Sequence, residues 1–407
     1  MSNRNAKPSA VTLQAMRQHA EEFIGIRRDI HLNPELSFKE GRTSDLVAEK
    51  LQAWGYEVER GLGGTGLVGR LRLGDGTRSV GLRADMDALP IKEETGLKYA
   101  SRNQGVMHAC GHDGHTAMLL GAARLLAERK CFSGTLNLIF QPAEENGPPE
   151  SGAPRMIRDG LFDKYPCDAV FAMHTMPGWP QSQLVFRQGA MMASSDKVSI
   201  TLNGHGGHGA MPHKAADPIV AAASLVMALQ TIVARNVDPL QTAVVSVGML
   251  QAGHANNVIP QSAKLEISVR ALDNDVRALL ERRITELAHA QAQSFGVSAE
   301  VDYQHGYAVL VNTGTETELA RRVGIELLGD DKVTLQAPAL TTSEDFAFML
   351  EERPGCYLLI GNGTGDNANA CMLHNPGFNF NDDNVLVGAA YWARLVETYL
   401  TDPSPTA

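Results

Sequence analysis

Before residue 190 and again after residue 305, apolar residues fall in short runs that do not alternate with polar ones. Runs of this kind are typical of strands buried on both faces of a parallel sheet, and segments with helical periodicity separate them. The pattern predicts helices at 12–30, 42–54 and 116–128, and strands at 80–82, 135–140, 169–173 and 357–360, the last before a glycine-rich loop at 361–365. We therefore expect an α/β domain with a mostly parallel sheet.

A different pattern begins near Lys197, where apolar residues alternate with polar ones and predict a half-exposed strand. Asp217 and Pro218 are a favourable N-cap and first residue for the helix that follows. Strands at 242–250 and 263–272, a long helix at 273–295 and a last strand at 298–303 complete a β-α-β-β-α-β order. This order is the ferredoxin-like arrangement. We predict a catalytic domain formed by 1–190 and 305–407, with an inserted α+β domain at 191–304.

Length and composition agree with a globular protein of two domains. The chain has 407 residues, of which 43% are hydrophobic and 20% charged. The net charge of −10 argues against nucleic acid or an anionic membrane as a partner. Residues 1–18 are polar and predict no signal peptide, and we find no run of about 18 apolar residues that would predict a membrane span. The five scattered cysteines indicate free thiols in a reducing compartment, so we expect a cytoplasmic protein. The tail after Asp402 is expected to be disordered.

The segment 107–115 combines a thiol, three imidazoles and a carboxylate with two glycines. Thiolate and neutral imidazole are preferred ligands of zinc and related divalent metals. Cys110 and His112 flank a single glycine, so both side chains can turn toward one point. Other candidate ligands follow predicted strands or lie near the C-terminus: Asp85, Asp87, Glu144, Glu145, His174 and His374. Because sites in open α/β sheets form beyond the carboxyl ends of strands, we expect these residues to converge on one or two divalent metals.

The adjacent pair Glu144 and Glu145 indicates a mechanism. Neighbouring residues on an extended segment point in different directions, so one carboxylate can bind metal while the other faces the attacking water. A metal lowers the pKa of that water, and a nearby carboxylate can take its proton. Taken alone, the pair fits two solvated glutamates in a loop better, but its position just after a buried strand and Pro142, together with the other clusters, favours the catalytic interpretation. Asp87 is expected to accept the second N–H of a ligand imidazole.

Several residues have simpler interpretations that the sequence leaves open. His174 alone would suit a hydrogen-bonded structural histidine, and His108 and His115 could either support a ligand or be merely local. Asp85 fits either proximity to the metal or a structural turn. Asp113 is expected to cap the helix that follows it.

Together these motifs resemble the dinuclear-metal amidohydrolases that include hippurate hydrolase, N-acyl-amino-acid amidohydrolases and plant auxin-conjugate hydrolases. This group is similar to the wider aminoacylase and carboxypeptidase superfamily. The matching segments span nearly the whole chain in the family's order and are Arg83–Pro90, His108–His115, Phe140–Glu145, His174–Gly178, Gly204–His213, Asn257–Pro260, Ser343–Phe346 and Leu373–Pro376.

The resemblance implies a role for each matching residue. Glu144 would be the general base, which later passes the proton to the leaving amine, and Asp87 would be the carboxylate beside the metal site. The implied metal ligands are Cys110, His112, Glu145, His174 and His374. The chain departs from the wider superfamily at two places: Asp85 stands where relatives have a histidine ligand, and the Cys110 region stands where they have a bridging aspartate.

The insert resembles the family's dimerisation or lid domain. Its glycine-rich run presents His205 and His208 and lacks the lysine and hydroxyl residues of a phosphate loop. The residue types do not choose between the two histidines, but the resemblance favours His208, which would reach a partner's active site in a dimer and stabilise the oxyanion. Asn257 and Arg270 would bind the substrate's carbonyl or carboxylate. A guanidinium suits a carboxylate through two parallel hydrogen bonds, although a surface salt bridge explains Arg270 equally well without the resemblance.

The implied activity is metal-dependent hydrolysis of the amide bond of small N-acyl amino acids such as hippurate, which releases a carboxylic acid and an amino acid. The resemblance implies two divalent metals per subunit, zinc, manganese, cobalt or nickel, in a homodimer or a higher homo-oligomer. One alternative is a di- or carboxypeptidase that uses the same site. Another, of a different class, is a noncatalytic metal-dependent binding protein.

Overall fold

A computed structural model describes residues 8–365 and 370–401. Its helices, in chain order, are α1 Pro8–Arg17, α2 Ala20–Leu32, α3 Gly41–Ala53, α4 His112–Arg129, α5 Gly152–Arg158, α6 Leu161–Lys164, α7 Pro218–Arg235, α8 Asn274–Ser294, α9 Gly314–Leu328, α10 Phe346–Glu352 and α11 Asp383–Thr401. Single-turn 3-10 helices lie at Glu144–Asn146, Pro212–Lys214 and Asp330–Lys332. The tail expected to be disordered after Asp402 lies outside the described residues.

The strands are, in chain order, β1 Glu57–Leu62, β2 Gly66–Leu73, β3 Ser79–Asp85, β4 Gly134–Gln141, β5 Ala169–Pro177, β6 Leu184–Val185, β7 Gly189–Met192, β8 Ser195–Asn203, β9 Gly207–His208, β10 Ala243–Ala252, β11 Val258–Ile259, β12 Ser262–Ala271, β13 Ser298–Tyr307, β14 Leu310–Asn312, β15 Val333–Thr334 and β16 Gly355–Gly363.

The chain divides into two compact units. The first comprises Met1–Gly189, Val311–Pro338 and Phe348–Ala407, and the second comprises Ala190–Leu310 and Ala339–Ala347. The second unit thus extends beyond the predicted insert at 191–304. The additional segment, Ala339–Ala347, is hydrogen-bonded to the start of the insert. The amide of Ala193 donates to the carbonyls of Leu340 and Thr342.

The first unit contains an eight-stranded sheet in the order β1-β2-β4-β3-β5-β16-β6-β15. Its central strands β4, β3, β5 and β16 run parallel to one another. The α/β class is confirmed, but the sheet is mixed, because β1 and β2 pair antiparallel to their neighbours and β6 pairs antiparallel to β16. Every residue of β5 and β16 is buried, which explains why these strands show no polar alternation.

The predicted boundaries of the first helix and of the glycine-rich loop were wrong. The helix expected at 12–30 is divided into α1 and α2, because the end of α1 tightens into i→i+3 hydrogen bonds, from Gln18 to Ala15 and from His19 to Met16. The loop expected from Gly361 begins inside β16 instead. A Cβ at Gly361 would lie 2.0 Å from the carbonyl oxygen of Pro180, so this glycine permits a close backbone approach.

The second unit has a four-stranded antiparallel sheet in the order β10-β12-β8-β13, and α7 and α8 pack against it. The predicted ferredoxin-like arrangement is therefore confirmed. The prediction for the start of α7 is also confirmed, since the Asp217 side chain accepts a hydrogen bond of 2.8 Å from the amide of Ile219 and Pro218 occupies the first turn. A short ribbon of β9 and β11 is additional to the predicted order.

Helix α7 is long and apolar enough to cross a membrane by length and composition alone. It is not an uninterrupted apolar run, because Ser224, Gln230 and Thr231 lie within it. The buried residues of α7 belong to the core of the second unit, as in a core helix of a globular domain, and are Ala221, Ala222, Leu225, Leu229 and Ile232.

Candidate active site

The candidate ligands of the first unit lie near the carboxyl ends of its parallel strands. β3 ends at Asp85, and β4 ends in register beside it. The segments that leave these strands carry Asp87 and the pair Glu144–Glu145. His174 differs from expectation, because β5 continues to Pro177 and this histidine therefore lies within a buried strand.

Gly111 forms the turn between Cys110 and His112. Gly111 has a φ of 91°, a left-handed conformation that favours glycine, and a Cβ there would lie 2.4 Å from Cγ2 of Thr175. Helix α4 begins directly after this turn rather than at residue 116, so that His112 and His115 both belong to its first turn. The conformation of one glycine thus sets the direction of two histidines and a cysteine.

One group of possible metal ligands consists of Cys110, Glu145 and His374, whose ligand atoms lie within 4.8 Å of one another. Nε2 of His374 is 3.0 Å from Oε1 of Glu145, and this oxygen accepts no hydrogen bond within the part of the chain that the structure describes. Two atoms that both carry lone pairs need a proton or a metal ion between them at this distance. This group is therefore suited to hold a cation.

A second group of possible metal ligands consists of Asp85, His112, His115 and His174, whose ligand atoms also lie within 4.8 Å of one another. Sγ of Cys110 lies 3.3 Å from Nε2 of His174, while Nδ1–H of His174 donates to the carbonyl of Thr175 at 2.6 Å. That bond assigns the proton to Nδ1 and leaves the Nε2 lone pair facing the thiol. The ring centroids of His174 and His112 are 5.9 Å apart. Cys110 of the first group thus contacts His174 of the second, so its sulfur is near candidate ligands of both groups.

The two nitrogens of His112 face different carboxylates. Nδ1 lies 3.2 Å from Oδ1 of Asp87, whereas Nε2 is buried 3.7 Å from Oδ2 of Asp85 and has no hydrogen-bond partner among the described residues. Burial disfavours the imidazolium, but Asp85 and Asp87 outweigh it and raise the pKa of His112 to about 10. The metal-free cluster therefore holds a proton among its carboxylates, where a divalent cation would take its place.

The other ligand candidates also fit a metal ion. Burial, followed by the charges of Glu145 and Glu144, raises the pKa of the Cys110 thiol well above its ordinary value. A thiolate at this position needs a nearby cation. Burial lowers the pKa of His174 well below the usual range and keeps its ring neutral. A thiol with imidazoles and carboxylates is a donor set for zinc or a related borderline-soft metal.

Asp87 connects a ligand to the glutamate pair. Its Oδ1 accepts hydrogen bonds from His112 Nδ1–H at 3.2 Å and the Glu144 amide at 3.1 Å. Its Oδ2 accepts from the Ser37 hydroxyl at 2.7 Å and the Glu145 amide at 3.0 Å. Burial opposes ionisation, but the hydrogen bonds from His112 and Ser37 hold the pKa of Asp87 below its usual value. The sequence predicted the imidazole contact and missed the backbone contacts, which residue types do not reveal.

Glu144 is buried, with a carboxylate oxygen within 4.8 Å of ligand atoms of His112 and Glu145. The preceding residue, Ala143, adopts a left-handed conformation with φ 51° and ψ 45°, and a single 3-10 turn follows. The two adjacent carboxylates therefore have different neighbours, since Glu145 also lies beside His374. This arrangement suits one glutamate as a ligand and the other as a general base.

The sequence did not decide the roles of His115 and Asp85, and both side chains form buried hydrogen bonds in the structure. His115 donates from Nδ1 to Asp85 at 2.6 Å and accepts from the Thr175 amide at Nε2, so both of its nitrogens are used. Asp85 also accepts from Arg83 at 2.6 Å. Burial opposes ionisation of Asp85, but His112 and Arg83 keep its pKa well below the usual range. Asp85 is thus a buried charge partner rather than an isolated turn residue.

The expectation that Asp113 caps α4 was wrong. The N-cap position is Gly111, which offers no side chain, and Asp113 lies inside the first turn. Its buried carboxylate instead pairs with Arg27 at 3.3 Å and His31 at 2.9 Å, both from α2. His108 is fully buried as well, and neither of its nitrogens has a hydrogen-bond partner among the described residues.

In the second unit, His208 and Asn257 lie side by side. His208 pairs with Val258 in the ribbon, and the amide of Gly209 donates to the Asn257 carbonyl at 2.8 Å. The exposed His208 ring accepts at Nδ1 from the amide of Ala210 at 3.0 Å. This contact leaves the proton on Nε2, where it can be donated to an oxyanion.

Arg270 lies in β12 and donates to the hydroxyl of Ser343 at 2.7 Å. No ion pair joins it to a carboxylate within 8–365 and 370–401, which disfavours the surface salt bridge. Burial lowers the pKa of this guanidinium. His205 is exposed, and its backbone pairs with Ala216.

Comparison with known proteins places this chain in a family. Residues 81–398 match the model of peptidase family M20/M25/M40. The chain is 46% identical over 379 residues to a hippurate hydrolase of Campylobacter jejuni, covering 93% of this chain and 97% of that protein. It is 38% identical over 378 residues to thermostable carboxypeptidase 2 of Saccharolobus solfataricus, covering 92% of this chain and 94% of that protein.

A solved structure is also similar. The Bacillus subtilis YXEP protein, a dinuclear metal-binding peptidase of the M20 family, matches with a TM-score of 0.83 and 31% identity over 95% of this chain and 99% of that one. The family match covers well over half of the chain, and the relatives match along nearly all of it. The chain therefore belongs to peptidase family M20/M25/M40 and is a hydrolase.

Proposed function

We propose that this protein hydrolyses the amide bond of small N-acyl amino acids such as hippurate, with divalent metals as cofactors. The observation that carries the proposal is the position of Cys110, which groups with Glu145 and His374 and also contacts His174 of a second ligand group at 3.3 Å, near the buried Glu144. The substrate class is supported by the 46% identity to a hippurate hydrolase along almost the full length of both chains.

Two metals per subunit would be held by the implied ligands, with Cys110 contributing to both sites. His112 and His174 would complete one site, and Glu145 and His374 the other. Bound there, a divalent metal would polarise the scissile carbonyl and lower the pKa of the attacking water. A mixed set of sulfur, nitrogen and oxygen donors suits zinc, manganese, cobalt or nickel.

Four groups of side chains would act on the water, the ligands, the oxyanion and the substrate. Glu144 would take the proton of the attacking water and later give it to the leaving amine. Asp87 would hold His112 in the tautomer that keeps Nε2 free and would fix the backbone of the glutamate pair. From the insert, His208 of a partner chain would donate its Nε2–H to the oxyanion. Asn257 and Arg270 would bind the substrate's carbonyl or carboxylate.

The replacement Glu144→Gln tests the central assignment. Glutamine is nearly the same size as glutamate but cannot accept the water's proton, so kcat for hippurate should fall by about 10²- to 10⁴-fold while bound metal stays at the wild-type amount. Metal content and steady-state turnover would be measured on the same samples. The matched control is Glu150→Gln, an exposed glutamate shortly after the same turn. Wild-type turnover by Glu144→Gln would show that the base is another group.

A peptidase activity at the same site is the second candidate, favoured by the 38% identity to a carboxypeptidase. A panel of hippurate-type substrates and of dipeptides with a free amino terminus would separate the two activities. A noncatalytic binding protein would retain metal and bind N-acyl amino acids without releasing product from any member of the panel.

We also propose a homodimer or a larger homo-oligomer formed through the insert. Helix α7 leaves a row of apolar side chains exposed, including Val220 at 50% and Met227 at 70%. β10 is an edge strand of the four-stranded sheet. Exposed apolar residues and an open strand edge are both surfaces that a second copy can cover.

We further propose a cytoplasmic location. All five cysteines are free thiols, and Cys110, Cys167 and Cys356 are buried. Free thiols are the usual state of cysteine in a reducing compartment.

A further inference from the structure

The turn that carries the glutamate pair is held by two buried carboxylates rather than one. Three consecutive backbone amides, those of Ala143, Glu144 and Glu145, donate hydrogen bonds to carboxylate oxygens. Asp87 accepts the second and third of these bonds. Glu40 accepts the first, at 2.9 Å from the nitrogen of Ala143. Glu40 lies at the start of α3, far from the turn in sequence.

The bond from Glu40 acts at the strained residue of the turn. Ala143 is in the left-handed region, with φ 51° and ψ 45°, which costs an L-residue with a Cβ about 1–2 kcal/mol. Its side chain is fully buried, and its carbonyl accepts from the amide of Gly152 at 3.0 Å. Any relaxation of Ala143 to a right-handed conformation would rotate the peptide plane that leads into Glu144.

The carboxylate of Glu40 is itself fixed by neighbouring donors. Oε1 also accepts from the amide of Phe38 at 3.0 Å, and Oε2 accepts from the hydroxyl of Thr65. The side chain is fully buried, and no lysine, arginine or histidine of the described chain forms an ion pair with it. Burial, together with the charge of Asp87, raises the pKa of Glu40 to about 7. A buried carboxylate without a cation stabilises a fold poorly, which favours a role at the turn.

We propose that Glu40 is a positioning residue for the glutamate pair: through the amide of Ala143 it holds the left-handed turn that directs Glu144 and Glu145. The inference rests on the proposed function, because it assigns Glu40 an effect on the base and on a metal ligand. Glu40 touches neither substrate nor metal in this role and acts only through the backbone.

Two replacements separate the hydrogen bonds from the charge. In Glu40→Gln, the amide oxygen can still accept from Phe38 and Ala143, and the amide nitrogen can donate to the Thr65 hydroxyl. In Glu40→Ala, the buried amides of Phe38 and Ala143 lose their acceptor. We expect kcat to fall by about 10- to 100-fold in Glu40→Ala with KM within about threefold of wild type, and Glu40→Gln to recover most of the loss.

The matched control is Glu35→Ala. Glu35 lies on the same segment and also accepts several hydrogen bonds, from the amides of Arg42 and Thr43 and from the Thr43 hydroxyl, but it supports the start of α3 and not the turn. We expect Glu35→Ala to lower the unfolding temperature while kcat stays within about threefold of wild type. Equal losses of kcat in Glu35→Ala and Glu40→Ala would overturn the proposal, as would unchanged kcat in Glu40→Ala.

If Glu40→Ala does not fold by itself, the same replacement can be tested in a protein that also carries Ala143→Gly. Glycine adopts the left-handed conformation without strain, so Ala143→Gly should reduce the dependence of the turn on Glu40. We expect Glu40→Ala to lower kcat less in the Ala143→Gly background than in the wild type, or to fold only there. A loss of the same size or larger in that background, or failure to fold in both, would contradict the proposal. Rates are compared on whichever amide the wild type hydrolyses, so a wrong substrate class would not affect the comparison.

Discussion

Asp87→Asn tests how far one carboxylate organises the candidate site. The native oxygens accept from His112 and Glu144 on one side and from Ser37 and Glu145 on the other. An asparagine has one oxygen and one NH2 group, so two of these four donors must face another donor. If the NH2 group of the new asparagine faces Ser37 and Glu145, the Ser37 hydroxyl can rotate and accept a hydrogen bond from it. The backbone amide of Glu145 can only donate, so its hydrogen bond is lost. At least one bond to a charged acceptor is lost, which amounts to about 1.5–3 kcal/mol.

This energy should appear in metal binding, because His112 and Glu145 are both candidate ligands. We expect the affinity for zinc to fall by about 10- to 100-fold in Asp87→Asn, measured by competition with a chromophoric chelator. Ser37→Ala is the control: it removes a single donor and leaves Asp87 charged, so its effect should be several times smaller. If Asp87→Asn binds zinc as tightly as the wild type and keeps its kcat, then Asp87 does not organise the site as its contacts imply.

Three further predictions concern metal binding, packing and assembly. The pKa values of Cys110 and His112 are raised, so both groups must lose a proton to bind a metal. Metal affinity should therefore rise from pH 6 to pH 8 by about tenfold per pH unit for each proton displaced. Calorimetry in buffers of different ionisation enthalpy counts these protons, and a pH-independent affinity would contradict the assignment. Gly114→Ala would place a Cβ 2.2 Å from the ring of Phe380 and should destabilise the first unit by about 1–3 kcal/mol, seen as a lower unfolding temperature; an unchanged temperature would show that the ring moves freely. Met227→Glu places a charge on the exposed face of α7 and should shift the protein toward monomers in analytical ultracentrifugation, whereas an unaltered oligomer would place the contact elsewhere.

The sequence predicted helix ends best where the determining interactions lie within a few residues of one another. Asp217 and Pro218 began α7 as expected, because an N-cap carboxylate and a fixed proline φ act within one turn of helix. The same reasoning failed at Asp113, which also precedes a helical segment but pairs with Arg27 and His31 instead. A capping residue and a buried ion-pair partner are the same residue type, and only the position of α2 distinguishes them.

The candidate ligands could be named from residue types because thiols, imidazoles and carboxylates are the groups that bind divalent metals. The expected shared site is consistent with the parallel order of β3, β4, β5 and β16 in the sheet. The role of His115 could not be predicted, since its two nitrogens are occupied by Asp85 and a backbone amide from β5. Glu40 was missed altogether because its partner, the amide of Ala143, leaves no mark in the sequence.

By itself, the sequence determined the α/β class, the ferredoxin-like order of the insert and the set of residues able to bind metal, since periodicity and ligand chemistry are local properties. Tertiary structure alone decided which of these residues lie together: Cys110 groups with Glu145 and His374 and contacts His174, whereas both nitrogens of His115 form hydrogen bonds. The tertiary structure also decided which contacts hold these residues in place. Nearly every residue carries the same backbone amide, so the sequence does not show which amide binds which carboxylate. Asp87 and Glu40 together accept three consecutive amides of one turn, and only the folded chain brings these two carboxylates to that turn.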